Sequence, residues 1–275
     1  MRRESDGRMQ VPDMHAHLAC FAEEYSVGLS DTEKAAMAEE ELALRRQGGI
    51  VTFFSSGTPE EWEQMKKYLG ESRDMLLSFG IHPWYSDRYC PDDYRRYLQM
   101  SDAVGEIGMD SVWCDVPLSV QRRVFVRQLE LAAGFRKPVI LHTKGQEREI
   151  AELLRGYPGK VCVHWYSGDQ DSLEDFIEMG CYFTLGPDLA SSLESGKEPA
   201  ADLYRKMLQE IPADRLFVET DGISAVAWAL ETERLELKEI PRVLKGSLDA
   251  AAEAKQMSLS ELRGRMYQNL KDFIL

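Results

Sequence analysis

The sequence predicts a single α/β domain closed into a (β/α)8 TIM barrel, and three observations carry that expectation. Eight short apolar runs recur along the chain, segments of helical pattern separate them, and ionisable side chains stand at or just past the ends of six of the eight. The runs are Val11 to His15, Ile50 to Ser55, Met75 to Ile81, Ala103 to Ile107, Pro138 to His142, Lys160 to His164, Tyr182 to Leu185, and Leu216 to Glu219. Eight such units are the number that closes a barrel. At 275 residues, with 44% of them hydrophobic, the chain is long enough for one sizeable core. Residues 1–275 therefore read as one domain, with the polar residues 1–9 as a flexible amino-terminal extension.

The helical segments carry their own punctuation. Thr32 to Gln47 precedes the Gly48-Gly49 pair, a plausible stop. Thr58, Pro59 and Glu61 supply an N-cap, a first-turn proline and a capping-box partner for Trp62 to Leu69, which Gly70 can end. From Ser119 to Phe135, the residues Gln121, Phe125, Gln128, Leu129 and Ala132 fall on one helical stripe that should face the sheet. Asp171 to Met179 ends at Gly180, and Ser258 with Glu261 opens a closing helix running through Phe273. The least regular stretch, Gly186 to Pro199, is rich in Ser, Gly and Glu. It reads as a mobile loop after the seventh strand, on the face where barrel chemistry is done.

Charge and cysteine usage narrow the functional classes. A net charge of −14 excludes a general nucleic-acid-coating protein, whose affinity would come from Lys and Arg neutralising phosphates. It leaves open an enzyme acting on phosphates, because bound divalent cations place positive charge locally. Cys20, Cys90, Cys114, Cys162 and Cys181 are odd in number and contain no Cys-x-x-Cys pair, so they read as reduced, mostly buried thiols. No apolar run reaches the roughly 18 residues needed to cross a bilayer. A cytoplasmic protein with no membrane contact and no obligate protein partner is expected.

The histidines carry the chemistry. All five stand at or just past run ends: His15 and His17, His82, His142, His164; Glu106 and Asp221 lie similarly. Imidazole and carboxylate are common nitrogen and oxygen ligands for divalent metals, and in a closed barrel the strand ends converge on one mouth. Seven positions are too many for one catalytic zinc, which keeps about three protein ligands. Two divalent ions are expected, with Glu106 suited to bridge them because each of its oxygens can bind a cation. Mixed nitrogen and oxygen ligation favours zinc or manganese over magnesium. Metal-assisted hydrolysis follows, in which an activated water attacks phosphorus or a carbonyl carbon.

The same residues compose motifs that resemble those of the TatD-type metal-dependent deoxyribonucleases, within the amidohydrolase-like barrels. The resemblance spans nearly the whole chain. It rests on Asp13-Met14-His15-Ala16-His17-Leu18, Gly80-Ile81-His82-Pro83, Gly105-Glu106-Ile107-Gly108-Met109-Asp110, Leu141-His142, His164-Trp165-Tyr166-Ser167-Gly168, and Ile211-Pro212 with Arg215 through Glu219-Thr220-Asp221. It implies that His15, His17, Glu106 and Asp221 bind one metal, and that Glu106, His142 and His164 bind the second. It also implies a substrate-facing His82, and a phosphate contact at Lys144, where the family usually has arginine. Asp221 would orient the attacking water and accept its proton, while His82 or Lys144 stabilises the leaving side.

Three segments depart from the family pattern: Gly222-Ile223-Ser224-Ala225 after Asp221, Trp165-Tyr166 after His164, and Ser111-Val112-Trp113 after Asp110. They leave the ligands untouched and change the pocket walls. The aromatics Trp84, Tyr85, Trp113, Trp165 and Tyr166 are candidates to stack on splayed bases. The expected substrate is DNA, at ends or in single strands. The alternatives are a hydrolase of a small amide, ester or phosphoester metabolite, and a non-catalytic metal-binding scaffold.

Overall fold

The computed structural model describes residues 10–275 apart from 71, 73 and 197, so the extension expected over residues 1–9 lies outside the described residues. Eight parallel strands, paired in chain order, close on themselves, as the run count predicts. They are β1 (Val11–Ala16), β2 (Ile50–Ser56), β3 (Met75–Phe79), β4 (Ala103–Asp110), β5 (Val139–Lys144), β6 (Val161–Val163), β7 (Tyr182–Leu185) and β8 (Leu216–Val218). Asp13 opposite Val218 closes the ring between β1 and β8. Nearly every strand residue is buried, because a parallel barrel has side chains inside and helices outside.

The strand ends differ from the sequence expectation in an instructive way. β3, β6 and β8 stop early, leaving His82, His164 and Glu219 to Asp221 in the loops just beyond them. β4 and β5 run on to Asp110 and Lys144, so Glu106 and His142 lie inside strands. Register breaks fall between Asp13 and Ala16 in β1 and between Val104 and Ile107 in β4. Such irregularities re-aim side chains. His15 and Glu106 sit within those two breaks.

Helices seal the outside by ordinary means. Ser30 caps the helix Asp31–Gln47 with a full capping box to Glu33, one residue earlier than the predicted start, and Ser258 with Glu261 does the same for Leu259–Ile274. At Thr58 the expected box is displaced: its hydroxyl accepts the Glu61 N–H, but the Glu61 carboxylate accepts from Gly57 instead. Trp62 of that helix packs edge-on against Phe79 at 5.9 Å between ring centroids. Phe273 meets Phe53 of β2, Tyr182 of β7 and Phe217 of β8, tying the last helix across the seam where the barrel closes.

Gly186 to Pro199 is not the irregular loop predicted. It contains the helix Leu189–Ser195, ended by Gly196, and Asp188 before it accepts hydrogen bonds from Tyr204 and from the Trp165 indole. Low hydrophobicity hid a helix whose anchors lie elsewhere in the chain. None of the helices among the described residues is long and apolar enough to cross a membrane.

Candidate metal centre

Folding gathers His15, His17, His82, Glu106, His142, His164 and Asp221 at the carboxyl end of the barrel, the face to which strand ends deliver them. The Glu106 carboxylate lies at their centre and its two oxygens face different histidines. Oε1 lies 2.8 Å from His142 Nδ1, 2.8 Å from His164 Nε2 and 3.5 Å from His82 Nε2. Oε2 lies 3.2 Å from His15 Nε2 and 3.6 Å from His17 Nε2. Asp221 Oδ1 approaches those same two rings, at 3.4 and 3.6 Å.

Ionisation states follow from this crowding. Burial raises the Glu106 pKa, but His164, His82 and His15 outweigh it and hold the carboxyl well below its usual range. Burial and His164 depress His15, yet Glu106 and Asp221 prevail and lift it to about 9. His164 is likewise raised against its burial, by Glu106 and Glu219. His82 goes the other way: burial dominates and lowers its pKa. Asp221 is lowered, burial being overcome chiefly by the adjacent His15 imidazole.

A cation fits this donor set, and the polar bookkeeping says so. His15 is fully buried, yet neither ring nitrogen has a hydrogen-bond partner, and His164 Nδ1 and both Glu219 carboxylate oxygens are similarly unmatched. Unpaired buried polar atoms cost about 1–3 kcal/mol each unless an ion supplies the partner. Three groups place ligand atoms within 4.8 Å of one another: His15, His17 and Glu106; His15, His164 and Asp221; His82, Glu106 and His142.

Several contributors escape a sequence reading. Asp110 Oδ2 lies 3.1 Å from His142 Nε2, the nitrogen facing away from Glu106, and also accepts from the Trp84 indole at 2.9 Å. Glu219 stands 3.4 Å behind His164 Nδ1. Carboxylates placed this way fix the ring and raise its basicity. Two buried glutamines of the predicted stripe grip the backbone. Gln128 pairs with both N–H and C=O of Ile81, next to His82, and Gln121 does the same to Asp110. Both motif carboxylates were visible as letters, but only tertiary proximity gives them a role.

The departures also find their place. Gly222 has φ of +86°, and a Cβ there would lie 2.7 Å from the His17 carbonyl oxygen, so glycine lets the loop after β8 approach the first histidine pair. Lys144 stands apart from the cluster: its Nζ donates to Ser167 Oγ at 2.6 Å and lies 4.4 Å over the Trp113 ring. Of the five mouth aromatics, Tyr166 is a core residue instead, buried against Phe176 and Phe183.

Comparison with known proteins places this geometry. The family model described as TatD related DNase matches residues 12–274. An uncharacterized metal-dependent hydrolase of Bacillus subtilis, YabD, is 25% identical over 267 residues, covering 94% of this chain and 96% of its own. The 3'-5' ssDNA/RNA exonuclease TatD of Pantoea ananatis is 28% identical over 206 residues, covering 71% of this chain and 77% of its own. Among solved structures, the TatD homologue YJJV of Escherichia coli superposes with a TM-score of 0.75 at 21% identity, covering 96% and 97% of the two chains.

Proposed function

The chain belongs to the TatD-related DNase family of metal-dependent hydrolases, and we propose that it cleaves phosphodiester bonds in DNA, at ends or in single strands, at a site for two divalent cations. The carrying observation is the divided carboxylate of Glu106, with one histidine set on each oxygen. In this reading His15, His17, Asp221 and Glu106 Oε2 hold one cation; His142, His164 and Glu106 Oε1 hold the other. Zinc or manganese suits these nitrogen and oxygen donors better than magnesium. The name of the Pantoea relative, an exonuclease on single-stranded DNA and RNA, supports a nucleic-acid strand as substrate.

Cations bound there would polarise the phosphoryl oxygens and bring the pKa of water from about 16 toward about 7. The protein's own groups do the rest. Asp221, held ionised by His15, orients the attacking water and receives its proton. Glu106 keeps the two histidine sets in register. Asp110 and Glu219 lock the His142 and His164 rings from behind. His82, whose lowered pKa leaves it neutral near pH 7, faces the substrate from the Oε1 side and can donate a hydrogen bond to a phosphate oxygen. The five cysteines are all free, which suits the reducing cytoplasm.

The test is direct. Purified protein, supplied with manganese, magnesium or zinc, should release nucleotides from labelled single-stranded DNA. If two equivalents of metal are bound and no nucleic acid is cut under any of them, the phosphodiesterase reading fails. Turnover of small esters, amides or phosphoesters with DNA untouched would select the metabolite hydrolase, which the acidic surface favours.

A further inference from the structure

We propose that Trp113, Trp165 and Trp228 form an aromatic platform beside the metal centre that stacks a nucleobase of the bound strand. This rests on the phosphodiesterase reading and adds a subsite for the base to the one for the phosphate. The ring centroid of Trp228 lies 6.5 Å from that of Trp113 and 5.7 Å from that of Trp165, at interplanar angles of 76° and 75°. Such centroid spacings leave no gap for a base between the rings, so an incoming base would lie on their outer faces. Those faces are available: Trp113 is 54% and Trp228 66% exposed. Indoles left this far in water are unusual unless they meet something.

The chain connectivity puts the platform at the site. Trp113 follows Asp110 by three residues, Trp165 directly follows His164, and Trp228 belongs to the helix Ile223–Ala229 that opens two residues after Asp221. Each ring therefore stands within seven residues of a side chain of the metal cluster, Trp113 and Trp165 in loops and Trp228 on a helix. The least exposed of them, Trp165, is held rigidly. Its indole N–H donates to Asp188 at 3.0 Å, its backbone N–H donates to Thr184, and Gly186 packs so closely that a Cβ there would lie 2.2 Å from the indole nitrogen. Lys144 lies 4.4 Å over one face of the Trp113 ring, so that face is taken by a cation, which is built into the aromatic surface where a polyanion would cross it. Aromatic faces flanked by positive charge are the common means of holding single strands without reading sequence. Two of the family departures, after Asp110 and His164, each supply one ring of this surface, and the third, after Asp221, opens the helix that supplies Trp228.

Affinity for a short oligothymidylate and for an abasic deoxyribose-phosphate strand of equal length, both with hydrolysis-resistant phosphorothioate backbones and with manganese present, tests the proposal. Fluorescence anisotropy should show the base-bearing strand bound about tenfold more tightly or better. Trp228→Ala and Trp113→Ala should each erase most of that preference while leaving affinity for the abasic strand unchanged, and Trp228→Phe should restore it. Equal affinity of the wild-type protein for the two strands would overturn the platform. So would self-association of the wild-type protein that Trp228→Ala abolishes, which assigns the surface to a second copy of the chain. Cleavage of ordinary oligothymidylate, followed in parallel, separates the two readings. A base preference without cleavage sinks the nuclease and keeps the platform; cleavage without base preference does the reverse.

Discussion

Two sets of buried charge occupy this barrel, and they differ in how their polar atoms are matched. Behind β1, Arg45 donates from Nε to Glu41 at 3.0 Å and from Nη1 to Asp13 at 2.6 Å and Thr52 at 3.2 Å. Asp13 also accepts the N–H and hydroxyl of Thr220, and Glu41 accepts the Ala19 N–H. At the mouth, by contrast, the His15 ring and the Glu219 carboxylate are as deeply buried and make no side-chain hydrogen bond, standing only in looser charge contact with Glu106 at 3.2 Å and His164 at 3.4 Å. A charge set whose members satisfy one another is a brace. One whose members leave lone pairs unmatched is built around something the polypeptide does not supply.

The brace has a consequence for the site. Asp13 lies two residues before His15, and Thr220 immediately precedes Asp221, so the hydrogen bonds between Asp13 and Thr220 join the strand that carries His15 to the loop that carries Asp221. Asp221 itself donates its N–H to the His15 carbonyl at 2.9 Å. Arg45 thus holds, at one remove, the geometry of the cluster above it.

The largest way to break this comparison is at Glu106. Glu106→Ala should reduce hydrolysis to background and lower occupancy of both cations, measured by elemental analysis beside an activity assay; two full equivalents of bound metal in the variant would show that the carboxylate bridges nothing. Arg45→Met comes next. It strands Asp13 and Glu41 without their cation and should cost about 3–5 kcal/mol in urea denaturation, whereas the same loss below about 1 kcal/mol would mean the brace is slack.

Removing metal with a chelator should do less to stability than breaking the brace. Two cations, each at about tenfold excess over its Kd, together contribute about 2.8 kcal/mol, so the melting temperature should fall by about 5–10 °C on chelation and recover with added zinc or manganese. An unmoved melting temperature would place the unmatched histidines and carboxylates among ordinary packing errors of the core. The smallest effect belongs to Asp110→Asn. It keeps the shape but weakens the hold on His142, and should slow turnover by about 10- to 100-fold with circular dichroism unchanged. Wild-type rates would remove Asp110 from the site.

Strand positions were legible because a parallel barrel buries both faces of each strand, so that β2 or β7 reads as a mostly apolar run without charged residues. Strand ends were less legible. Pairing decides where β4 stops, and its register with β5 carries it to Asp110. The ligands stood out because histidine is scarce in this chain and lies where runs end. Arg45 did not, since a polar residue in a helical pattern looks the same whether it meets water or a buried carboxylate, and for Gln121 and Gln128 the stripe gave the sheet-facing side but not the backbone groups they grip. Trp228 was hidden for a related reason. Its neighbours in the platform are 63 and 115 residues away in the chain.

By itself, then, the sequence determined the element order, the barrel class and the residue types able to hold a cation, because local hydrophobic periodicity and side-chain chemistry are written residue by residue. Only the tertiary structure decided which Glu106 oxygen meets which histidine, which carboxylates stand behind the rings, and that three tryptophans share a surface. Those are facts of distance between remote segments. Distance is set by closure of the barrel and by breaks in strand register, neither of which any single stretch of chain contains.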